Sequence, residues 1–367
     1  MADPRIESFA RILVEYSTRI EKGDRVFIEA SIEAVPLVNE LYKQILLQGG
    51  HPYLQMTIPE QLDLLYRFGD MDQARHTNEL MSFAYENFEA RIRVWSQANT
   101  KALSNADASK QTAHAEGQSG ILKNQFERGA VGKLKWVTTL FPTHAYAQQA
   151  SMSLVEYQDF VYKAVHALEK DPVAYWQNLE QQQKKYLQVF AGHDKVKLHG
   201  PNVDLSLSIK GRTWRNSHGL HNMPDGEIFT GPVEDSSNGW VRFTYPAIIN
   251  SVEVDAVELH FKDGKVERAS ARVQENFLKQ MLATDEGASR IGEFAIGLNT
   301  DIDRFTGDIL FDEKIGGSFH MALGAGYPET GSQNKSAIHW DMICDMRTDS
   351  EITVDGDLVY KNGNFET

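Results

Sequence analysis

The chain has 367 residues, 41% hydrophobic and 24% charged, which is ordinary globular usage and excludes a disordered chain. Its 37 Lys and Arg against 51 Asp and Glu give a formal net charge of -14, which argues against nucleic acid or an anionic membrane as the main partner. The single cysteine, Cys344, rules out an internal disulfide and a Cys-rich zinc site, so any metal must be held by His, Asp and Glu.

The length predicts two domains, each with its own core. The opening MADPRIES has an acid and a proline where a secretory signal needs a basic and then an apolar region, and no run reads as a membrane span; a cytoplasmic protein is expected. Ile6, Phe9, Leu13 and Val14 recur at helical spacing, and residues 24 to 29 read as a strand. Residues 34 to 48 carry an apolar helical stripe that stops at Gly49-Gly50, followed by a strand in PYLQMTI. RIRVWSQ (91 to 97) and KWVTTLF (135 to 141) are further strands separated by helix-like sequence, and 100 to 125 reads as a surface helix and loop. This alternation predicts an α/β N-terminal domain with a mostly parallel sheet. Neither GxGxxG nor GxxxxGK[ST] occurs, which weakens any nucleotide-dependent reading.

Residues 154 to 191 read as two helices around Asp171-Pro172, ending at Gly192. From about 195 the texture changes to short alternating runs, VDLSLSI, VRFTYPAII, SVEVDAVELHF and EITVDGDLVY, separated by Gly, Asn and Asp turns. The expected division is therefore 1–190 for the α/β domain and 191–367 for a β-rich α+β domain.

In AIHWDM (337 to 342), His339 and Asp341 share one face of a strand while Ile338, Trp340 and Met342 share the other. Two ligands suited to Zn or Co would then project side by side. Alone, the pair reads first as a core histidine satisfied by its neighbour. Three other segments shift that balance. HNMPDGEIFTGP places Glu227 at the head of a strand after a Pro-Asp-Gly turn; RIGEFAIGLN interrupts an apolar run with Glu293; and DEKIGGSFHMALGAGY carries His320 and Tyr327. The turn alone accounts for the first, and a lone histidine is more often core than ligand. Lys314 is expected to pair with Asp312 or another acid. His218 and His221 form a competing H-x-x-H set, ranked lower because the segment is rich in turns.

Taken together, NMPDGEIFTGP, GEFAIGLN, DEKIGGSFHMALGAGYPETGSQNKSAIHWDM, WVTTLFPTHAYAQQASMSLVEYQDF and the opening ARILVEYSTRIEKGDRVFIEA resemble the M29 metallopeptidases, the thermophilic-aminopeptidase family. The resemblance implies metal ligands at Glu227, Glu293, His320, His339 and Asp341 and an active-site tyrosine at Tyr327. Ser318 stands where many relatives carry threonine and keeps the hydroxyl. The C-terminal domain would carry the metal site, enclosed in part by the N-terminal domain. Also implied are two divalent ions (Zn, Co or Mn), a homodimer and the removal of N-terminal residues from peptides with a free N-terminus. Glu293 is either a bridging ligand or the general base. The alternative is a catalytically silent metal-dependent binding or scaffold protein of the same fold.

Overall fold

The computed structural model describes residues 3–250 and 252–366, which form two compact units. The first runs to Gln177 and takes in Gly219–Pro224; the second comprises Asn178–His218 and the chain from Asp225. The division falls within helix Pro172–Phe190, ahead of the change of texture near residue 190.

The first unit is the predicted α/β domain. Asp3 caps helix Pro4–Arg11 by accepting from Arg5 N, proline occupies the first turn, and Ile6, Phe9 and Ala10 are buried. Strand Arg25–Ser31 pairs in parallel with His51–Thr57 on one side and Ala90–Trp95 on the other, and the latter pairs with Lys135–Leu140. The helix joining the first two strands, Val35–Leu47, ends just before Gly49, whose φ of +80° suits a residue without a Cβ. Asn222–Met223 adds a short parallel edge beside Lys135–Leu140. The stretch around 100 to 125 is, as expected, a loop and a helix: turns to Asp107, which caps helix Ala108–Ala130.

The second unit is strand-rich, again as predicted. One sheet has eight strands, in the order Lys265–Ser270, Glu258–Lys262, Asn238–Arg242, Val203–Ser208, Lys195–Gly200, Glu351–Val354, Asp357–Lys361, Asn364–Phe365. The runs read as single strands at 241 to 249 and 251 to 261 are each divided. Pro246, which lacks an N–H, precedes the separate strand Ala247–Ile249, and Ala256 at φ +54° separates Val252–Val254 from Glu258–Lys262; Ser251 lies outside the described residues.

The other large sheet of this unit is antiparallel, in the order His339–Asp345, Ser318–Gly324, Ile291–Gly297, Glu227–Thr230, Arg215–Ser217. Val196, Leu198, Leu205 and Val241 of the eight-stranded sheet share one core with Phe294, Ile296, Phe319, Met321, Trp340 and Met342 of this one. Burying those residues orients every second position of the smaller sheet away from the core, and that other face carries the polar residues.

Candidate metal centre

Strand register assembles the site. Glu293 lies opposite Ala322, which lies opposite Asp341; His320 lies opposite Ala295; His339 lies opposite Gly324; and Glu227 lies opposite Gly297. Small residues separate the ligating types on this face, so long side chains on alternate strands meet over Ala295, Gly297 and Ala322. Gly297 is required for a second reason: a Cβ there would stand 2.3 Å from Ile315 O.

The turn before Glu227 is tied down by Asp225, whose carboxylate accepts from Ser217 Oγ at 2.9 Å and from Gly226 N at 2.9 Å. Gly226 has φ +123° with Asn299 packed behind it, which explains the glycine in the Pro-Asp-Gly turn. His339 Nδ1 lies 2.8 Å from Ala325 O and donates to it, so Nε2 is the nitrogen presented to the carboxylates. Ser318 Oγ donates to Ile315 O at 2.8 Å, holding the turn that leads into the His320 strand.

All five expected ligands converge. His320 Nε2 is 3.6 Å from Glu227 Oε2 and 3.9 Å from Glu293 Oε1; His339 Nε2 is 3.3 Å from Glu293 Oε2 and 3.6 Å from Asp341 Oδ1. These separations exceed a normal N–H···O hydrogen bond. They match two donors sharing one ion, since atoms about 2.1 Å from a tetrahedral metal lie roughly 3.4 Å apart. Glu227 Oε2, His320 Nδ1 and Asp341 Oδ1 are buried without a hydrogen-bond partner among the described residues. Buried polar atoms are seldom left so, and three in one cluster fit a cation. Glu293, His339 and Asp341 form one set of ligand atoms within 4.8 Å of one another; Glu313, His320 and Asp341 form another.

The electrostatics follow from burial and crowding. Burial pushes Glu227 up to about 7 against the pull of Lys314 and His320. Burial also works to raise Glu293, but the facing imidazoles of His320 and His339 carry it below its ordinary value. For Asp341 the His339 charge overcomes burial and brings it down to about 2. Burial opposes the charge on His339, yet Asp341 and Glu293 raise it to about 11. Tyr327 packs its ring 5.2 Å from that of His339 and 5.4 Å from that of Phe229; burial, then the charges of Glu293, Asp341 and Glu227, push its hydroxyl well above its ordinary value.

Lys314 pairs with acids, as expected, though not with Asp312. Asp312 is engaged by Thr306 N and Oγ1, and the fully buried Lys314 pairs with Glu313 and with Glu227 Oε1 at 3.3 Å. Glu313 was not singled out from the sequence; its only signal is its place in the charged triplet Asp-Glu-Lys before an apolar strand. His218 and His221 belong to separate units and to neither set of ligand atoms; His221 stacks on Trp136 at 4.3 Å.

Comparison with known proteins identifies the family and the fold. The family model described as thermophilic metalloprotease (M29) matches residues 2–365. Aminopeptidase 2 of Geobacillus stearothermophilus is 26% identical over 99% of this chain and 98% of its own length, and aminopeptidase T of Thermus thermophilus is 26% identical over 98% and 95%. The solved structure of wild-type AmpT from Thermus thermophilus shares the fold, with a TM-score of 0.87 at 22% identity over 99% of both chains. A 2,5-dihydroxypyridine dioxygenase from Pseudomonas putida KT2440 shares it more distantly, with a TM-score of 0.55 at 14% identity over 98% of this chain and 96% of the other. Fold alone therefore does not select the chemistry; the family match does. The chain belongs to the M29 family and is a metallopeptidase.

Proposed function

We propose that this protein is an aminopeptidase that removes N-terminal residues from peptides with a free N-terminus, using two divalent ions (Zn, Co or Mn) held by Glu227, Glu293, His320, His339 and Asp341 in its second unit. The observation that carries the reading is the convergence of those five side chains, from four strands, at donor-to-donor distances of 3.3 to 3.9 Å. Ions bound there supply a Lewis acid for the scissile carbonyl and a water acidified from about 15.7 to near 7.

The protein's own residues do the positioning. The Ala325 carbonyl sets the His339 tautomer, and Glu293, which faces both imidazoles, would serve as a bridging ligand or as the base that takes the proton of the attacking water. Tyr327 keeps its proton far above neutral pH, so its hydroxyl can donate to the oxyanion of the tetrahedral intermediate. The single buried cysteine fits a reducing compartment, and we infer a cytoplasmic protein; a homodimer is what the family resemblance implies.

The test is release of a chromophore from unblocked and N-acetylated amino-acid substrates, before and after chelation and after Zn, Co or Mn is returned. Hydrolysis of the unblocked substrate alone, lost with the metal and restored by it, is expected. Turnover that survives chelation, or equal turnover of the blocked substrate, refutes the reading, and metal binding without turnover supports the silent scaffold.

A further inference from the structure

The row of the smaller sheet that holds His320 runs on past the ligands to an open edge. His320 lies opposite Ala295, Ala295 opposite Phe229 and Phe229 opposite Arg215; in the adjoining row Glu227 lies opposite Ser217. Residues paired in this way project to the same side, so Arg215 stands on the ligand-bearing face. Its neighbour Trp214 faces the other way, buried against Phe190 and Phe294 in the core. Phe229 is half-buried, its ring 5.4 Å from that of Tyr327, and lays an apolar floor between the ligands and Arg215. Arg215 is exposed and makes no hydrogen bond or ion pair among the described residues. The other arginines of the second unit each meet a carboxylate or a backbone carbonyl. In a chain of net charge -14, an arginine left unpaired on this face is open to an incoming anion.

We propose, on the basis of the aminopeptidase reading, that Arg215 pairs with the C-terminal carboxylate of a tripeptide substrate whose two leaving residues cross Phe229. The span fits. Glu227 and His320 stand on the strands that flank Ile291–Gly297, and their ligand atoms meet 3.6 Å apart above it. From that strand to the strand of Arg215 is two interstrand spacings, about 10 Å. Two extended residues cover about 7 Å of it, and the arginine side chain closes the remainder. A guanidinium takes a carboxylate through two parallel N–H donors, a match that a C-terminal amide does not reproduce. A longer peptide carries its carboxylate beyond the edge of the sheet, so the contact selects for short substrates with a free C-terminus.

The experiment measures kcat/KM on Leu-Gly-Gly, on its C-terminal amide and on Leu-Glu-Gly amide, which carries its carboxylate on a side chain, in wild type, R215A and R215E. Leucine p-nitroanilide serves as the reference substrate for wild type. A charge-assisted hydrogen bond to an exposed partner predicts that wild type favours the free acid over its amide by about 10-fold, mainly through KM, and treats the two amides alike. In R215A the two forms of Leu-Gly-Gly should come to parity. R215E should invert the preference, which a merely structural loss would not do. Parity in wild type, a preference unchanged in R215A, or a preference for Leu-Glu-Gly amide as strong as that for the free acid overturns the proposal. If leucine p-nitroanilide is not hydrolysed, the aminopeptidase reading fails and this inference with it. Hydrolysis of that substrate without discrimination between acid and amide defeats this inference alone.

Discussion

In the first unit, Glu29 is buried between Arg91 Nε at 2.7 Å and Arg93 Nη2 at 3.1 Å, and it accepts from Tyr85 OH at 2.7 Å. Arg93 donates in turn to Tyr85 OH at 2.7 Å, and Arg91 Nη1 to Thr138 Oγ1 at 2.9 Å, so that Arg91 Nη2 is the atom of this knot left over. The second unit gathers a larger set of ionisable groups in the opposite manner. Its imidazoles and carboxylates stop at 3.3 to 3.9 Å, and three of their atoms have no partner among the described residues. Hydrogen bonds close the first knot on itself, which is how a structural ion cluster is satisfied. The second is spaced for something to enter between its members. Buried charge by itself does not mark a functional site; buried charge held apart does.

The contrast is broken most severely from the metal side. Asp341→Ala and His339→Ala each remove a donor from a set that has no spare on the sheet, so bound metal should fall and hydrolysis should drop to the limit of detection. The circular dichroism spectrum should be retained, because the core face of that strand is untouched. Near-normal turnover in both variants would mean that the site lies elsewhere. Glu29→Gln attacks the other knot. It leaves the buried Arg91 guanidinium and the partly buried Arg93 guanidinium without their counter-charge, and removing one partner of a buried pair typically costs about 3–5 kcal/mol. The denaturation midpoint should fall accordingly while metal content per folded chain is kept; a metal loss in E29Q would erase the distinction between the two knots.

Much of this was legible because a strand has period two. Glu293, His320, His339 and Asp341 each sit among apolar neighbours that had to face a core, and that alone put them on the opposite surface. Register was not legible, since nothing local to GEFAIG says that Glu293 stands two strands from Asp341 with Ala322 between them. The orientation of His339 depends on a backbone carbonyl, Ala325 O, which has no residue type to read. Glu313 was hidden in a charged triplet of the kind usually spent on solvent. The H-x-x-H spacing, ranked lower from the sequence, falls away for a topological reason as well: the chain passes from one unit to the other between His218 and Gly219.

The two tyrosines sharpen the comparison at smaller cost. Tyr85 is bonded to Glu29 and Arg93, whereas the Tyr327 hydroxyl makes no hydrogen bond among the described residues, although burial raises both above their ordinary values, Tyr85 to about 12. Tyr327→Phe should lower kcat by about 100-fold, the usual effect of losing one oxyanion donor, with stability and metal content as in wild type. Tyr85→Phe should do the reverse, costing about 1–3 kcal/mol of stability and no activity. If the two substitutions had the same signature, Tyr327 would be a packing residue.

The mildest test is pH. Burial works to raise Glu29, but Arg91 and Arg93 hold it below its ordinary value of 4.5. Its folded pKa is therefore the lower one, and the unfolded chain takes up the proton first as the solution is acidified. The stabilisation from this carboxylate is complete above about pH 4.5 and is lost as pH falls from there through the folded value. Stability measured by denaturant between pH 6 and pH 3 should decline in the wild type. In Glu29→Gln it should start lower and decline less steeply, because that variant has no proton to take up at this position. Parallel curves would show that Glu29 is not held ionised by its two arginines, and the first knot would then resemble the second more than its short hydrogen bonds suggest.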